Sequence, residues 1–111
     1  MTRKFIIEIE DKEYAFALDR KEIVRGEQLG MRLRDFELSP VTQTSILWQV
    51  GLHKFQPKLN AVVASDLMDK YIEEGGDVQE IVGFLLEEYA SFFENTQTDT
   101  QKVKKGRVEL A

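Results

Sequence analysis

The first part of the chain alternates apolar and polar residues in the two-residue rhythm of β-strands. The alternation runs through residues 4–18, KFIIEIEDKEYAFAL, and such a period places every second side chain on the same face of a sheet. If Asp11-Lys12 forms a two-residue turn, the apolar residues of both strands share one face of a hairpin. That register predicts three cross-strand pairs: Ile9 with Tyr14, Ile7 with Phe16 and Phe5 with Leu18. An isolated hairpin is marginally stable in water, so we expect helices to cover this face.

Helix signals follow the predicted hairpin. Asp19-Arg20-Lys21-Glu22 has the spacing of a capping box, in which the Asp side chain accepts from a free amide and the Glu reaches back. The short helix behind it, RKEIVRGEQL, ends before Gly30, a candidate left-handed cap. Ser39-Pro40 is typical of a second helix start, and Pro57 cannot continue that helix. Its apolar stripe is formed by Leu47, Trp48, Gly51, Leu52 and Phe55.

Two more helices are predicted on either side of Gly75-Gly76. The third covers about residues 61–74 and stops at these glycines, and Asp77-Val78-Gln79-Glu80 is a second capping box that begins the fourth. The core face of the third helix is expected to contain Ala64, Leu67, Met68, Tyr71 and Ile72. The fourth helix presents Val78, Ile81, Val82, Leu85, Tyr89 and Phe92.

The composition changes abruptly after Phe93, where ENTQTDTQKVKKGRVELA contains no aromatic residue. We therefore predict one domain over residues 1–93 and a polar, flexible C-terminal tail over residues 94–111. The predicted fold class is α+β: an N-terminal two-stranded β-hairpin followed by about four α-helices packed as a small bundle. The loop from Met31 to Leu38 has no clean period.

Composition narrows the classes of function. The chain has 111 residues and a formal net charge of -5, and this acidity argues against a nucleic-acid partner, which would require clustered Lys and Arg. It has no cysteine, which excludes disulfides, thiolate nucleophiles and Cys-based metal sites. The apolar run Phe5 to Ile7 is too short for a signal-peptide core, and no stretch approaches a membrane-spanning length. We expect a soluble protein that is not exported by this route.

His53 is the one residue whose ordinary pKa suits proton transfer near neutral pH. It could act as a general base or a metal ligand, but a metal site needs several converging ligands, and the residues next to His53 in the sequence are Lys54, Gln56 and Lys58. A structural role near the negative end of a helix dipole is the preferred interpretation. The sequence therefore predicts no catalytic residue, no metal site, no cofactor and no enzyme.

The remaining charged and glycine motifs have simple structural interpretations. Glu73-Glu74 and Glu87-Glu88 could suggest acid–base pairs, but adjacent Glu residues project in different directions from a helix and are expected to form a solvated face. Gly75-Gly76 lacks the pattern of a phosphate loop. A small basic patch, Lys102, Lys104, Lys105 and Arg107, stands out in an acidic chain and is expected to be solvated.

Three segments in this order resemble the tail assembly chaperones of long-tailed bacteriophages and prophages. They are KEYAFALDRKEIVRGEQLG, TSILWQVGLHKFQPKLNAVVASDLMDKYIEEGG and VQEIVGFLLEEYASFF, and the resemblance covers about residues 5–93. It rests on a hairpin, a short Arg-containing helix ending in Gly, an aromatic-rich helix with a His-Lys end, a helix ending at Gly-Gly, and a last helix that ends in an LxxEYxxxF-like pattern. It includes no catalytic motif.

The resemblance implies binding rather than catalysis. Members of the family bind the tape measure protein, keep it soluble, and recruit tail tube subunits while the tail polymerises. They work in the cytoplasm of the bacterial host and are absent from the mature virion. Many are also made as a longer, frameshifted form, and Lys104-Lys105-Gly106 could be encoded by a slippery A-rich run. The expected partners are the tape measure protein, the tail tube protein, a frameshifted longer form of the chain, and further copies in a homo-oligomer.

The sequence also suggests where a partner would bind. Several apolar helical faces exceed what a single small core must hide, so one of them is expected to line a client or oligomer groove. The alternative is that all of them pack internally. A different non-catalytic role, as a small regulatory or adaptor module for another protein, remains open. The candidate protein-binding residues are Trp48, Leu52, Phe55, Tyr89, Phe92 and Phe93.

Overall fold

A computed structural model describes residues 3–98, with side chains for residues 3–92. Two antiparallel strands are followed by four α-helices, so the predicted α+β class and element order are confirmed. A single 3-10 turn, Leu33–Phe36, interrupts the loop for which the sequence showed no period. The elements are β1 (Phe5–Ile9), β2 (Lys12–Phe16), α1 (Arg20–Gln28), α2 (Pro40–His53), α3 (Ala61–Glu73) and α4 (Val78–Thr98).

The hairpin forms, but its predicted register was wrong by two residues. Phe5 pairs with Phe16 and Ile7 with Tyr14, so the turn is Glu10-Asp11 rather than Asp11-Lys12. Both turn residues have positive φ, 50° and 65°, which is the geometry that continues the right-handed twist of the two strands. Because the slip is an even number of residues, the apolar side chains keep the predicted face.

The turn is held by contacts from the far end of α3. Glu74 accepts a hydrogen bond from the Glu10 amide at 3.2 Å, and Lys70 lies 3.0 Å from the Glu10 carboxylate. These partners are more than fifty residues away in the sequence. The position of the turn thus depends on tertiary contacts as well as on local preference.

Only half of the first predicted capping box forms. The Asp19 carboxylate caps α1 by accepting from the amides of Lys21 and Glu22, as expected. The Glu22 side chain is buried beside the Asp19 carboxyl and lies 3.4 Å from His53, rather than bonding to the Asp19 amide. Gly30 ends this segment with φ 104°, which confirms the predicted left-handed cap.

Helix α2 is the centre of the domain and packs against the hairpin and the other three helices. Leu47, Trp48 and Leu52 are almost fully buried. The Gly51 carbonyl lies in the last turn, where it has no partner within the helix, and it accepts from the Ala17 amide at 3.0 Å. This bond joins the chain segment that leaves the hairpin to the end of α2.

Two buried residues outside the predicted stripes hold the connection between α1 and α2. Met31 is fully buried, and its side chain covers Gly26. Buried Gln43 donates to the Gly30 carbonyl at 3.0 Å and accepts from the Arg32 amide at 2.8 Å. The side-chain amide of Gln43 therefore takes the place of backbone partners in a segment without regular secondary structure.

The last two helices follow the glycine signals where they meet, and α4 is longer than predicted. Gly75 has φ 90° and ends α3, and Asp77 accepts from the Gln79 amide at the start of α4. Helix α4 continues to Thr98, five residues beyond the predicted domain boundary at residue 93. The segment after Phe93 contains no Gly or Pro before Thr98 to stop it. The expectation of a flexible tail otherwise falls on residues 99–111, which lie outside the described residues.

Candidate functional site

The aromatic and aliphatic residues predicted to bind a partner are divided between the core and the surface. Trp48, Leu52 and Tyr89 are at most 2% exposed, so they have no surface to offer a partner in this conformation. Phe55 is 40% exposed and lies beneath Lys4, whose ammonium is 5.7 Å from the ring centre. Phe92 is partly buried against the core. The side chain of Phe93 lies outside the described residues.

Tyr89 has a further contact with a carboxylate of α1. Its hydroxyl donates to the Glu27 carboxylate at 3.1 Å, and burial, together with this carboxylate, raises the pKa of Tyr89 to about 12. An open depression of about 400 Å³ lies beside it, lined by Glu27, Arg32, Leu33, Arg34 and Tyr89. Three of these five residues are charged, so an apolar segment bound there would lie beside charged groups.

His53 meets a carboxylate that the sequence did not predict. Its Nδ1 lies 3.4 Å from Glu22 Oε2, although the two residues are 31 positions apart. The other Glu22 oxygen is buried and has no hydrogen-bond partner among the described residues. Next to this pair, Lys54 donates to Asp19 at 2.7 Å.

The electrostatics of this cluster follow from burial. Burial raises the pKa of Glu22, and the neighbouring Asp19 carboxyl raises it further. The pKa of Asp19 is lowered well below its usual range, first by the Glu22 side chain and then by Lys54. Of the two carboxyls, Glu22 is therefore the one that keeps its proton to higher pH, and Asp19 stays ionised to cap α1 and bind Lys54. The cluster joins the start of α1 to the end of α2.

We expect the Glu22→Gln variant to remove a pH dependence of folding stability. Because the folded pKa of Glu22 is raised, the stabilisation linked to its proton is complete below its unfolded pKa and is lost as pH rises through the folded value. The free energy of unfolding of the native chain should thus decrease as the pH rises above about 5, and the variant should show a flatter profile. Urea denaturation at a series of pH values measures both profiles.

The exposed Glu73→Gln is the control for this comparison and should keep the slope of the native chain. Below about pH 4 the native chain and Glu73→Gln should progressively lose stability, because Asp19 binds a proton there more readily in the unfolded chain than in the folded one. A native profile that rises steadily from pH 5 to pH 8 would contradict the assigned position of the proton.

The two Glu pairs singled out in the sequence also have structural roles. Glu88 is 9% exposed and accepts from the Arg3 guanidinium at 2.7 Å. Glu87 is exposed and lies farther from the same group, at 3.6 Å. Glu74 holds the hairpin turn. The expectation of a solvated face was therefore wrong for Glu88, which a long-range contact with Arg3 holds in a buried position, whereas Glu73, Glu74 and Glu87 are exposed as expected.

The best candidate for a binding site is an apolar groove between α2, α3 and the start of α4. We call it the α2–α3 groove; it has a volume of about 280 Å³. Val41 is 79% exposed and Ile72 is 52% exposed, so its walls present large apolar side chains to solvent. None of its lining residues is charged: Pro40, Val41, Thr44, Ser45, Met68, Ile72, Val78 and Gln79.

The groove extends along α2 and α3. A second depression of about 120 Å³ shares Ser45 and Met68 with it and continues towards Ala61. The sequence pattern did not indicate this surface, since helical period places Ile72 on the core face of α3 and gives Val41 no role. Ile72 instead lies near the end of α3 and is 52% exposed. The exposure of two branched residues at a concave surface is the signal that only the structure supplies.

Further observations of the described residues concern metals and membranes. In residues 3–98 no group of three or more His, Asp or Glu side chains is arranged to hold a metal ion. No helix in that part of the chain combines the length and apolar character needed to cross a membrane.

Comparison with known proteins gives no relative. No protein-family model, no curated protein and no solved structure matches this chain.

Proposed function

We propose that this chain is a non-catalytic protein-binding module that holds an apolar segment of another polypeptide in the α2–α3 groove. The observation that carries the proposal is the exposure of Val41 and Ile72 in a concave surface without charged lining residues. Apolar side chains from a partner would remove this area from water, which is favourable by roughly 25 cal/mol per Å². The groove is short, and this favours binding that can be reversed.

We further propose that the module is a tail assembly chaperone of a bacteriophage or prophage. The resemblance of residues 5–93 to that family supports this, and a reversible groove suits a chaperone that must release its client. The tape measure protein would be the client and the tail tube protein the second partner, with a frameshifted longer form of the chain as a further one. The chain would act in the cytoplasm of the bacterial host and be absent from the mature virion.

The His53–Glu22 pair does not change this proposal. Nucleophilic or acid–base catalysis needs a reacting group that the imidazole can reach, with a third group to orient it. Glu22 is buried between α1 and α2 with one oxygen unpartnered, and Asp19 and Lys54 bind each other. These contacts explain the cluster as part of the packing of α1 against α2, and no substrate is needed to account for it.

Co-expression with a tape measure protein tests the proposal, using a tagged chain and measurement of the soluble client that co-purifies. The double variant Val41→Gln/Ile72→Gln should weaken capture about tenfold or more, because two apolar contacts are lost while glutamine is compatible with a helix. The matched control is Val24→Gln, which replaces a 46% exposed valine on α1, outside the groove. It should capture as much client as the native chain.

Each outcome of this experiment has a distinct meaning. If the native chain and both variants capture the tape measure protein equally, the groove is not its binding site. If the client stays insoluble with the native chain, the chaperone function is wrong. Thermal unfolding of the purified variants shows whether loss of capture comes from loss of folding.

A further inference from the structure

Arg32, in the connection between α1 and α2, is held in position by both its backbone and its side chain. Its backbone amide donates to the buried Gln43 side chain at 2.8 Å. Its Nη1 atom donates to the Glu27 and Met31 carbonyls at 2.8 and 2.7 Å. Among the described residues, no carboxylate forms an ion pair with this guanidinium. Arg32 therefore presents a fixed positive charge that lacks a counter-ion in that part of the chain.

The bonds to the two carbonyls leave open the side of the guanidinium that binds carboxylates. An arginine side chain has five N–H donors, and the two on Nη1 are the ones used here. The donors on Nε and Nη2 remain, and these two nitrogens form a fork that can bind both oxygens of a carboxylate. Because Arg32 is already held in place, little conformational freedom would be lost on binding. The geometry favours a carboxylate as the ligand.

The depression of about 400 Å³ beside Arg32 adds apolar surface to this charge. Leu33 lines it and is 37% exposed, and the hydrocarbon stems of Arg32 and Arg34 extend the apolar wall. The Arg34 side chain is 89% exposed and adds a second positive charge. The acidic lining residue Glu27 already accepts a hydrogen bond from the Tyr89 hydroxyl. A ligand that matches this surface has a carboxylate next to aliphatic side chains.

One segment of the chain outside the described residues has this composition. Glu109 lies between Val108 and Leu110. Asp99 is the other acidic residue of the stretch from 99 to 111, and it directly follows the last residue of α4, Thr98. The choice of a carboxylate from this stretch is therefore between two positions.

The length of the chain beyond α4 lets Glu109 return to the depression, but not Asp99. Tyr89 lines the depression and precedes the end of α4 at Thr98 by nine residues. At 1.5 Å per residue, the end of the helix lies about 14 Å beyond Tyr89. Residues 99–108 span up to about 33 Å when extended, whereas a single residue spans less than about 4 Å. Glu109 can thus reach Arg32 of its own chain with several residues to spare.

The charge of α4 favours a chain that turns back beside it. Helix α4 contains four Glu and no Lys or Arg, whereas residues 102–107 contain three Lys and one Arg. On the return path these basic residues lie beside an acidic helix, and the acidic Glu109 then arrives at the two arginines that line the depression. The order of charges along the segment matches the order of charges along the surface.

We propose that residues 108–110 fold back and bind in this depression of their own chain. The Glu109 carboxylate would accept from the Nε and Nη2 donors of Arg32, and the neighbouring Val108 and Leu110 would contact Leu33. The contact would tie the segment that follows α4 to the connection between α1 and α2. This inference depends neither on the α2–α3 groove nor on the proposed chaperone function.

Paramagnetic broadening of amide signals in NMR spectra tests the contact in the full chain. The chain has no cysteine, so Ala111→Cys provides a single site for a nitroxide label. We expect the label to broaden the amide signals of Leu33 and Arg34. The signals of Asp69 and Glu73 should stay sharp, because they lie on α3, which does not line the depression. Equal broadening at both places, or broadening at neither, would overturn the proposal.

The two carboxylates of the segment provide a pair of variants with matched charge. Glu109→Gln should lower the ratio of bound to unbound segment about tenfold, because a neutral amide cannot form the charged bonds to the fork of Arg32. Most of the broadening at Leu33 should therefore disappear. Asp99→Asn removes the same charge and should leave the broadening unchanged. If both variants reduced it equally, net charge rather than Glu109 would be responsible, and the proposed pairing would be wrong.

A double-mutant cycle tests whether Arg32 is the partner of Glu109. Arg32→Gln alone should reduce the broadening at Leu33 as Glu109→Gln does. The two changes together should cause little further loss, because two residues that bind each other share one interaction. Losses that multiply in the double variant would rule out this contact. Because Arg32 also bonds to two backbone carbonyls, thermal unfolding of Arg32→Gln shows whether its folding is intact, and the Glu109 variants test the proposal in either case.

A mixing experiment separates binding within one chain from binding between copies. Isotope-labelled native chain is mixed with unlabelled chain that carries the nitroxide at position 111. The Leu33 signal of the isotope-labelled chain should stay sharp, because each segment binds the depression of its own chain. Broadening of that signal would show that the segment binds another copy and would overturn the proposal. No client protein is present in any of these measurements, so their outcome is independent of the capture experiment.

Discussion

The Trp48→Ala variant is expected to lose about 3–5 kcal/mol of folding stability, the largest effect of any single substitution considered. Trp48 is 2% exposed and lies between the hairpin and α3. Its ring contacts Phe16 edge-on at 4.7 Å between centres and Tyr71 at 6.0 Å. Since small domains have total stabilities of about 5–15 kcal/mol, a substantial fraction of the variant should be unfolded under mild conditions.

A second substitution separates the hydrogen bond of Trp48 from its packing. The indole Nε1 donates to the Ala64 carbonyl on α3 at 2.8 Å. Trp48→Phe keeps an aromatic ring but removes this donor, and we expect a smaller loss of about 1–2 kcal/mol. Urea denaturation followed by circular dichroism measures both variants, because Trp48 is the only tryptophan and its fluorescence is lost. Equal stabilities for Trp48→Ala and the native chain would contradict the assigned core.

The Gly51→Val variant is expected to be the second most damaging, with a loss of about 2–3 kcal/mol. A Cβ atom at Gly51 would lie 2.9 Å from Leu85 and 3.1 Å from Phe16. Both neighbours are fully buried, so neither can move into solvent. The Ala17 amide bonded to the Gly51 carbonyl also holds β2 close to this turn of α2.

Gly83 provides the matched control for this substitution. It lies in α4, is exposed, and has no atom within 4 Å of the position that a Cβ would take. Gly83→Val should change stability by less than about 0.5 kcal/mol, because valine is slightly better than glycine in a helix. Comparable losses at both positions, measured by thermal or urea unfolding, would mean that the close contact at Gly51 is not what limits the side chain there.

Local patterns were enough to predict most of the elements. Alternation predicted the hairpin and the face on which Ile7 and Phe16 lie, and helical period predicted that Leu47 and Leu85 would be available for a core. Asp19 and Gly30 marked the two ends of α1 correctly. Each of these signals acts within a few residues, and the structure changes none of them.

Pairings between distant residues could not be predicted in this way. The hairpin turn moved to Glu10-Asp11, where Glu74 and Lys70 contact it. Glu22 was expected to cap its own helix but is instead buried near His53. In both cases the contact is with a residue far away in the chain, and the packing of α1, α2 and α3 decides it.

The candidate site shows the same division between local and distant information. Trp48 and Tyr89 were predicted to be apolar-face residues, which they are, but their burial removes them from the partner-binding surface in this conformation. Val41 and Ile72 carry the exposed apolar area instead. Whether an apolar residue ends in the core or at the surface depends on which neighbouring element covers it, and helical period contains no information on that.

The sequence by itself determined the element types, their order, the caps of α1 and the end of α3, because these depend on backbone preferences and periods within a few residues. Only the tertiary structure decided the hairpin register, the partner of Glu22 and the position of the α2–α3 groove. These depend on how the helices pack around α2, where contacts between residues far apart in the chain determine which surfaces remain uncovered.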